Sequence, residues 1–218
     1  SDSLRIINES YDVILKSDVI PLAIGGDHLI NLPMLRSIAK THGPVALVHV
    51  DAHADENDEM FGETETHGTV FRRANEEGLI IPSKTFQIGL RGTGYTAQDF
   101  TEATDWGFQQ FLACVFWGVN LTSIGQEIRR KIAQSPVYIT FDIDSLDPSY
   151  APCIGTPEIG GLTTPQAMQL LRALNGLNIV GCDLVEVSPP YDTSGNMALS
   201  GANILYEILC ILPRVAYH

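Results

Sequence analysis

His49-Val50-Asp51-Ala52-His53-Ala54-Asp55 follows directly on the apolar run Val45-Ala46-Leu47-Val48, and this junction sets the architecture. A short β-branched and apolar run reads as a buried strand. Three potential ligands within the next few residues put carboxylates at a half-buried strand end, where charge is costly unless a cation neutralises it. With a period of two, Asp51, His53 and Asp55 project to one side if the strand continues.

Similar runs recur at residues 19–24, 85–90, 108–113, 137–141 and 178–185. Between them lies helix punctuation, for instance Thr164 as a cap, Pro165 in the first turn and Gly176 just past residues 166–174. Alternation of strand and helix predicts an α/β fold, a three-layer α/β/α arrangement around a mostly parallel sheet. No linker or fixed-period repeat divides the 218 residues, so a single domain over 1–218 is expected. Polar residues crowd the C-terminal ends of three expected strands, where open α/β sheets bind ligands: Gly25-Gly26-Asp27-His28, the Asp51 to Asp55 run, and Asp142-Ile143-Asp144. Phe108, Phe111, Phe116 and Trp117 read as core.

Composition narrows the function classes. Apolar residues at 44% and charged residues at 18% exclude a disordered or fibrous chain, and no apolar run is long enough to cross a bilayer. A net charge of −13 opposes nucleic-acid and anionic-membrane partners and favours cations. Cys114, Cys153, Cys182 and Cys210 are too scattered for a disulfide framework or a zinc ribbon. A reducing compartment is expected, the cytoplasm or, in a eukaryote, the mitochondrial matrix. The first residues lack an initiator Met and a basic-then-apolar leader, so no secretory signal is expected.

Asp51, Asp55, Asp142 and Asp144 bring four negative charges, which two divalent cations balance. An oxygen-rich set with only two imidazoles and no thiolate suits Mn²⁺, with Zn²⁺, Ni²⁺ and Fe²⁺ as alternatives. The acidic loop at residues 54–68 reads either as solvated chain or as part of the site.

These blocks, together with His67-Gly68-Thr69, Ser145-Leu146-Asp147-Pro148, Gly155-Thr156-Pro157-Glu158-Ile159-Gly160-Gly161-Leu162 and Glu186-Val187-Ser188-Pro189, resemble in order and spacing the ureohydrolases, the arginase and agmatinase family. The resemblance covers essentially the whole chain. It implies an arginase/deacetylase-like fold and two Mn²⁺ ions: His28 on one and His53 on the other, Asp51 and Asp142 bridging, Asp55 completing the first site and Asp144 the second. It makes Asp55, His67 and Glu186 catalytic, with His67 the proton shuttle and Glu186 the carboxylate that holds a guanidinium. The implied reaction hydrolyses a guanidino compound to urea and a primary amine, in a homo-oligomer, a trimer or hexamer.

The loop around Asn57 and Met60, together with Tyr95 and Glu186, resembles agmatinases and guanidino-acid hydrolases such as guanidinobutyrase more than arginase. Those residues are the candidates for substrate contact, with 4-guanidinobutyrate expected ahead of agmatine. Arg72 or Arg91 would receive a substrate carboxylate if either faces the pocket. Family members carry more residues before Gly25-Gly26, so the N-terminal part of the usual domain is expected to be missing. The competing readings are a catalytically silent relative acting as a binding or regulatory subunit, and a deacetylase-like hydrolase with one catalytic ion.

Overall fold

A computed structural model describes residues 2–94, 101–213 and 215. Its elements are α1 (Asp2–Ile14), β1 (Leu22–Ile24), α2 (Asn31–His42), β2 (Val45–Val50), α3 (Val70–Glu76), β3 (Ile80–Leu90), α4 (Glu102–Trp106), β4 (Gln109–Leu112), α5 (Thr122–Ile132), β5 (Pro136–Asp142), α6 (Thr164–Ala173), β6 (Asn178–Val185) and α7 (Asn196–Ile211). The six strands form one sheet in the order β1-β6-β5-β2-β3-β4, and every pairing is parallel.

Strand β2 explains the layering. All six of its residues are buried. Val45 and Leu47 join a cluster with Leu35 and Ile38 of α2 and Val70 and Phe71 of α3, while Ala46, Val48 and Val50 join a second with Ile128 of α5, Leu170 of α6 and Ile208 of α7. Alternating residues thus feed apolar layers on opposite faces, the signature of a parallel strand covered on both sides. Full burial of each Val, Leu, Ile or Phe side chain among them contributes about 1.5–3 kcal/mol. No helix among the described residues is long and apolar enough to cross a membrane.

Element boundaries differ from the sequence reading for local reasons. β1 begins at Leu22 and not at residue 19, because Pro21 precedes it without an N–H to donate, although its carbonyl accepts from Cys182 N at 3.0 Å. β3 starts at Ile80, five residues earlier than the apolar run, and its register against β2 shifts between Val45 and Leu47. The cap of α6 is Thr163, not Thr164: its hydroxyl accepts from Gln166 N and its own N–H donates to the Gln166 side chain, a reciprocal capping box with Pro165 in the first turn. Trp117 is 65% exposed, so it is not core; its indole N–H donates to Gly160 O at 3.2 Å beside the cavity described below.

The chain leaves β2 towards β3 and β4 on one side, then returns to place β5 on the other side of β2. The topological switch therefore lies between β2 and β5, and Asp51 and Asp142 stand at the C-terminal ends of those two strands.

Candidate metal centre

The ligand run does not continue as strand. β2 stops at Val50, and the chain curls so that Asp55 takes a left-handed backbone conformation, φ 53°, with its carbonyl accepting from Phe71 N at 2.9 Å. Two glycines make room for the curl. Gly89, at φ 105°, leaves a space in which a Cβ would stand 2.9 Å from the Asp51 carbonyl oxygen, and at Gly92 a Cβ would meet the His53 ring at 2.4 Å. On β5, Asp142 ends the strand and its Oδ1 accepts from Asp144 N at 2.8 Å, capping a 3₁₀ turn that carries Asp144. His28 begins another 3₁₀ turn after β1, capped by Asp27, whose Oδ1 accepts from Leu29 N at 3.0 Å.

The six expected ligands meet. His28 Nδ1 lies 3.0 Å from Asp51 Oδ2, 3.0 Å from Asp55 Oδ2 and 3.4 Å from Asp142 Oδ2. His53 Nδ1 lies 2.9 Å from Asp144 Oδ2 and 3.6 Å from Asp51 Oδ1. Asp51 thus touches both imidazoles, one with each oxygen. Backbone N–H groups hold the same carboxylates: His53 N donates to Asp51 Oδ1 at 2.6 Å and Ala52 N to Asp144 Oδ1 at 3.0 Å. Phe71 packs edge-on against the ring of His28, with centroids 5.2 Å apart.

The electrostatics ask for positive charge. Burial disfavours protonated imidazole, yet Asp142, Asp51 and Asp55 hold His28 well above its ordinary range. Burial likewise opposes charge on His53, but Asp144 and Asp51 lift it to about 11. Burial, then Asp144 and Asp51, push Asp142 well up, and burial and Asp51 push Asp144 up. At most one N–H can occupy the space between His28 Nδ1 and three buried carboxylate oxygens, too few donors for so many acceptors. The donor set, all imidazole nitrogen and carboxylate oxygen, fits divalent cations. His28, Asp51, Asp55 and Asp142 would hold one, and His53, Asp144 and the shared Asp51 a second.

Above the cluster opens a cavity of about 760 Å³ whose lining includes His53, Asp55, Asn57, Met60, His67, Asp142, Asp144 and Glu186. Glu186 has a left-handed backbone, φ 64°, and its Oε1 accepts from His28 N at 2.9 Å; burial raises its pKa. His67 stands on a 3₁₀ turn before α3. Asn57 donates its side-chain amide to Gly68 O at 3.0 Å, so it ties its loop to the His67 turn. Met60 lies against Gly68. Tyr95 lies outside the described residues.

Both candidate arginines have protein partners, and of the two Arg91 lines the cavity. Arg91 donates to the carbonyls of Asp144 (2.7 Å), Glu158 (2.7 Å) and Leu146 (3.2 Å) through Nη2, and Arg72 pairs with Glu102 at 3.0 Å and with the carbonyl of Glu56. The acidic loop is also anchored, since Asp58 pairs with Arg73 at 2.8 Å and Glu65 with Arg36 at 3.0 Å.

Several residues escaped sequence reasoning. His49 Nε2 lies 2.7 Å from Asp51 Oδ2 in full burial, and His28 Nε2 lies 2.9 Å from Thr140 Oγ1, which donates to Asp183 Oδ1 at 2.7 Å. Glu56 is buried in the cavity wall, with its carboxyl pushed up to about 8 by burial. The signal that would have found two of them is a polar residue two positions before a ligand inside an apolar strand: His49 before Asp51, Thr140 before Asp142.

A parallel α/β sheet with a carboxylate–imidazole cluster at its switch point defines a class of metal-binding α/β proteins. The profile of the arginase family matches residues 1–210, and the chain belongs to that family. Its relatives include a guanidinobutyrase from Pseudomonas aeruginosa, 56% identical over 98% of this chain and 67% of that protein. A mitochondrial agmatinase from Gallus gallus is 53% identical over 98% of this chain and 63% of that protein. Among solved structures, proclavaminate amidino hydrolase from Streptomyces clavuligerus superposes with a TM-score of 0.88 at 37% identity, over 94% of this chain and 69% of that one. The chain therefore spans about two thirds of the length of these relatives.

Proposed function

We propose that this chain carries the active centre of a metal-dependent hydrolase that splits a linear guanidino compound into urea and a primary amine. The observation that carries the reading is the convergence of His28, Asp51, His53, Asp55, Asp142 and Asp144 in one buried cluster, beneath a cavity that also presents Glu186 and His67. Two divalent cations, Mn²⁺ by this donor set, would supply the low-pKa water that hydrolysis at neutral pH requires.

The chain's own side chains do the rest. A guanidinium carbon is a poor electrophile, so the substrate must be held in place. Glu186 is suited to this: a carboxylate whose burial resists charge gains most from a planar cation offering paired N–H groups. The leaving nitrogen must be protonated before its bond to carbon breaks, and His67 on the cavity wall can relay that proton from solvent. The full ligand set argues against a catalytically silent relative.

The relatives' names favour a guanidino acid or agmatine as substrate. Agmatine gains from one feature of the wall: Glu158 lines it, while the guanidinium of Arg91, which lines it too, is engaged by backbone carbonyls. The test is urea release by the purified Mn²⁺-loaded chain from 4-guanidinobutyrate, 3-guanidinopropionate, agmatine and arginine. Release from at least one is expected, with Asp142→Ala losing bound Mn²⁺ and urea release together. Folded protein that releases urea from none of them refutes the reading.

A further inference from the structure

Strand registry sets a row of buried polar side chains directly behind the ligands: Gln87 pairs with His49, His49 with Thr140 and Thr140 with Asp183. Neither Thr140 nor Asp183 lines the cavity, so neither meets substrate. Their geometry nonetheless decides something at the metal centre.

A threonine hydroxyl has one hydrogen and two lone pairs. The Thr140 hydrogen points to Asp183 Oδ1 at 2.7 Å, and Asn31 Nδ2 donates into one lone pair at 3.3 Å. What remains for His28 Nε2, 2.9 Å away, is the second lone pair. Nε2 must then be the ring nitrogen that carries the hydrogen, and Nδ1, facing Asp51, Asp55 and Asp142, is the one that offers its lone pair. We infer that Asp183 is a positioning residue which, acting through Thr140, makes His28 present Nδ1 to a cation held by those carboxylates. The inference rests on the metal-centre reading above.

The physical consequence is specific. Without the Asp183 carboxylate the Thr140 hydrogen can turn onto Nε2, and the ring hydrogen then sits on Nδ1, where the cation belongs. Partners behind a metal-ligating histidine commonly contribute about 10–100-fold to metal affinity.

Equilibrium dialysis of the chelator-stripped 218-residue chain against Mn²⁺ tests this, with melting of each stripped variant as the control for folding. Asp183→Ala and Thr140→Val should each weaken one of two Mn²⁺ sites by about 10–100-fold, and Thr140→Ser, which keeps the hydroxyl, should restore it. The double variant should bind no more weakly than Thr140→Val alone, because a group that acts through Thr140 has nothing left to act on. Additive losses in the double variant, or two sites of unchanged affinity in Asp183→Ala, would overturn the inference while leaving the metal centre intact. A wild-type chain that binds no Mn²⁺ would overturn both.

Discussion

The guanidinium of Arg91, just past β3, donates to the backbone carbonyl of Asp144, the ligand-bearing residue after β5, at 2.7 Å. The same Nη2 reaches Leu146 O and Glu158 O, so one side chain ties the Asp144 turn to the segment that carries Glu158. An arginine that lines the cavity thus also braces the Asp144 half of the metal cluster. Burial lowers its pKa, against the opposing pull of the Asp144, Asp147, Asp51 and Glu158 carboxylates around it.

Arg91→Met should therefore act on stability and not on substrate choice. Leaving several enclosed carbonyls without donors should cost roughly 3 kcal/mol in denaturant unfolding, and Arg91→Lys should recover only part of it, since an ammonium cannot span the same acceptors. The ratio of kcat/KM for agmatine to that for 4-guanidinobutyrate should stay within a factor of about three. A tenfold shift in that ratio, with stability unchanged, would mean that Arg91, which lines the cavity, contacts the substrate tail.

His67 is open to a cleaner separation. It lines the cavity from the turn before α3 and is not one of the six ligands, so His67→Ala should keep two Mn²⁺ ions while kcat falls by about 10²–10⁴-fold. Added imidazole should recover part of the rate. Full turnover in the variant would remove the proton-transfer role.

How far the sequence could carry these conclusions depends on range. Val45–Val50 declares itself locally, because a run of apolar and β-branched residues with a ligand cluster at its end is both strand and site. His49 inside that run does not, since a lone histidine in a buried strand is ambiguous by itself. Its meaning comes from pairing with Gln87 and Thr140 on β3 and β5, a register set by residues far away in the chain. Asp183 is hidden for the same reason. The ligand run itself shows the opposite limit: alternation put Asp51, His53 and Asp55 on one side of a continuing strand, whereas a left-handed turn at Asp55 gathers them after the strand has ended. For the arginines the sequence left the facing open: Arg91 does line the cavity, but which acceptors its guanidinium meets depends on carbonyls of Asp144, Leu146 and Glu158 far along the chain.

Glu56 gives a prediction in pH. Burial lifts its carboxyl from 4.5 to about 8, against smaller opposing effects of Gln110 and Arg72. Between those values the folded chain keeps a proton that the unfolded chain has released, so stability falls as pH rises through the window, by up to about 1.4 kcal/mol per pH unit. The contribution is fully present below pH 4.5 and lost above about 8. Glu56→Gln removes the titrating group while keeping an acceptor for Gln110, which donates to Glu56 Oε1 at 3.3 Å. In chelator, urea-unfolding free energies of the two proteins should converge near pH 4.5 and separate steadily towards pH 8, where the glutamine variant is the more stable. Parallel profiles over that range would mean that Glu56 ionises as freely in the folded chain as in the unfolded one.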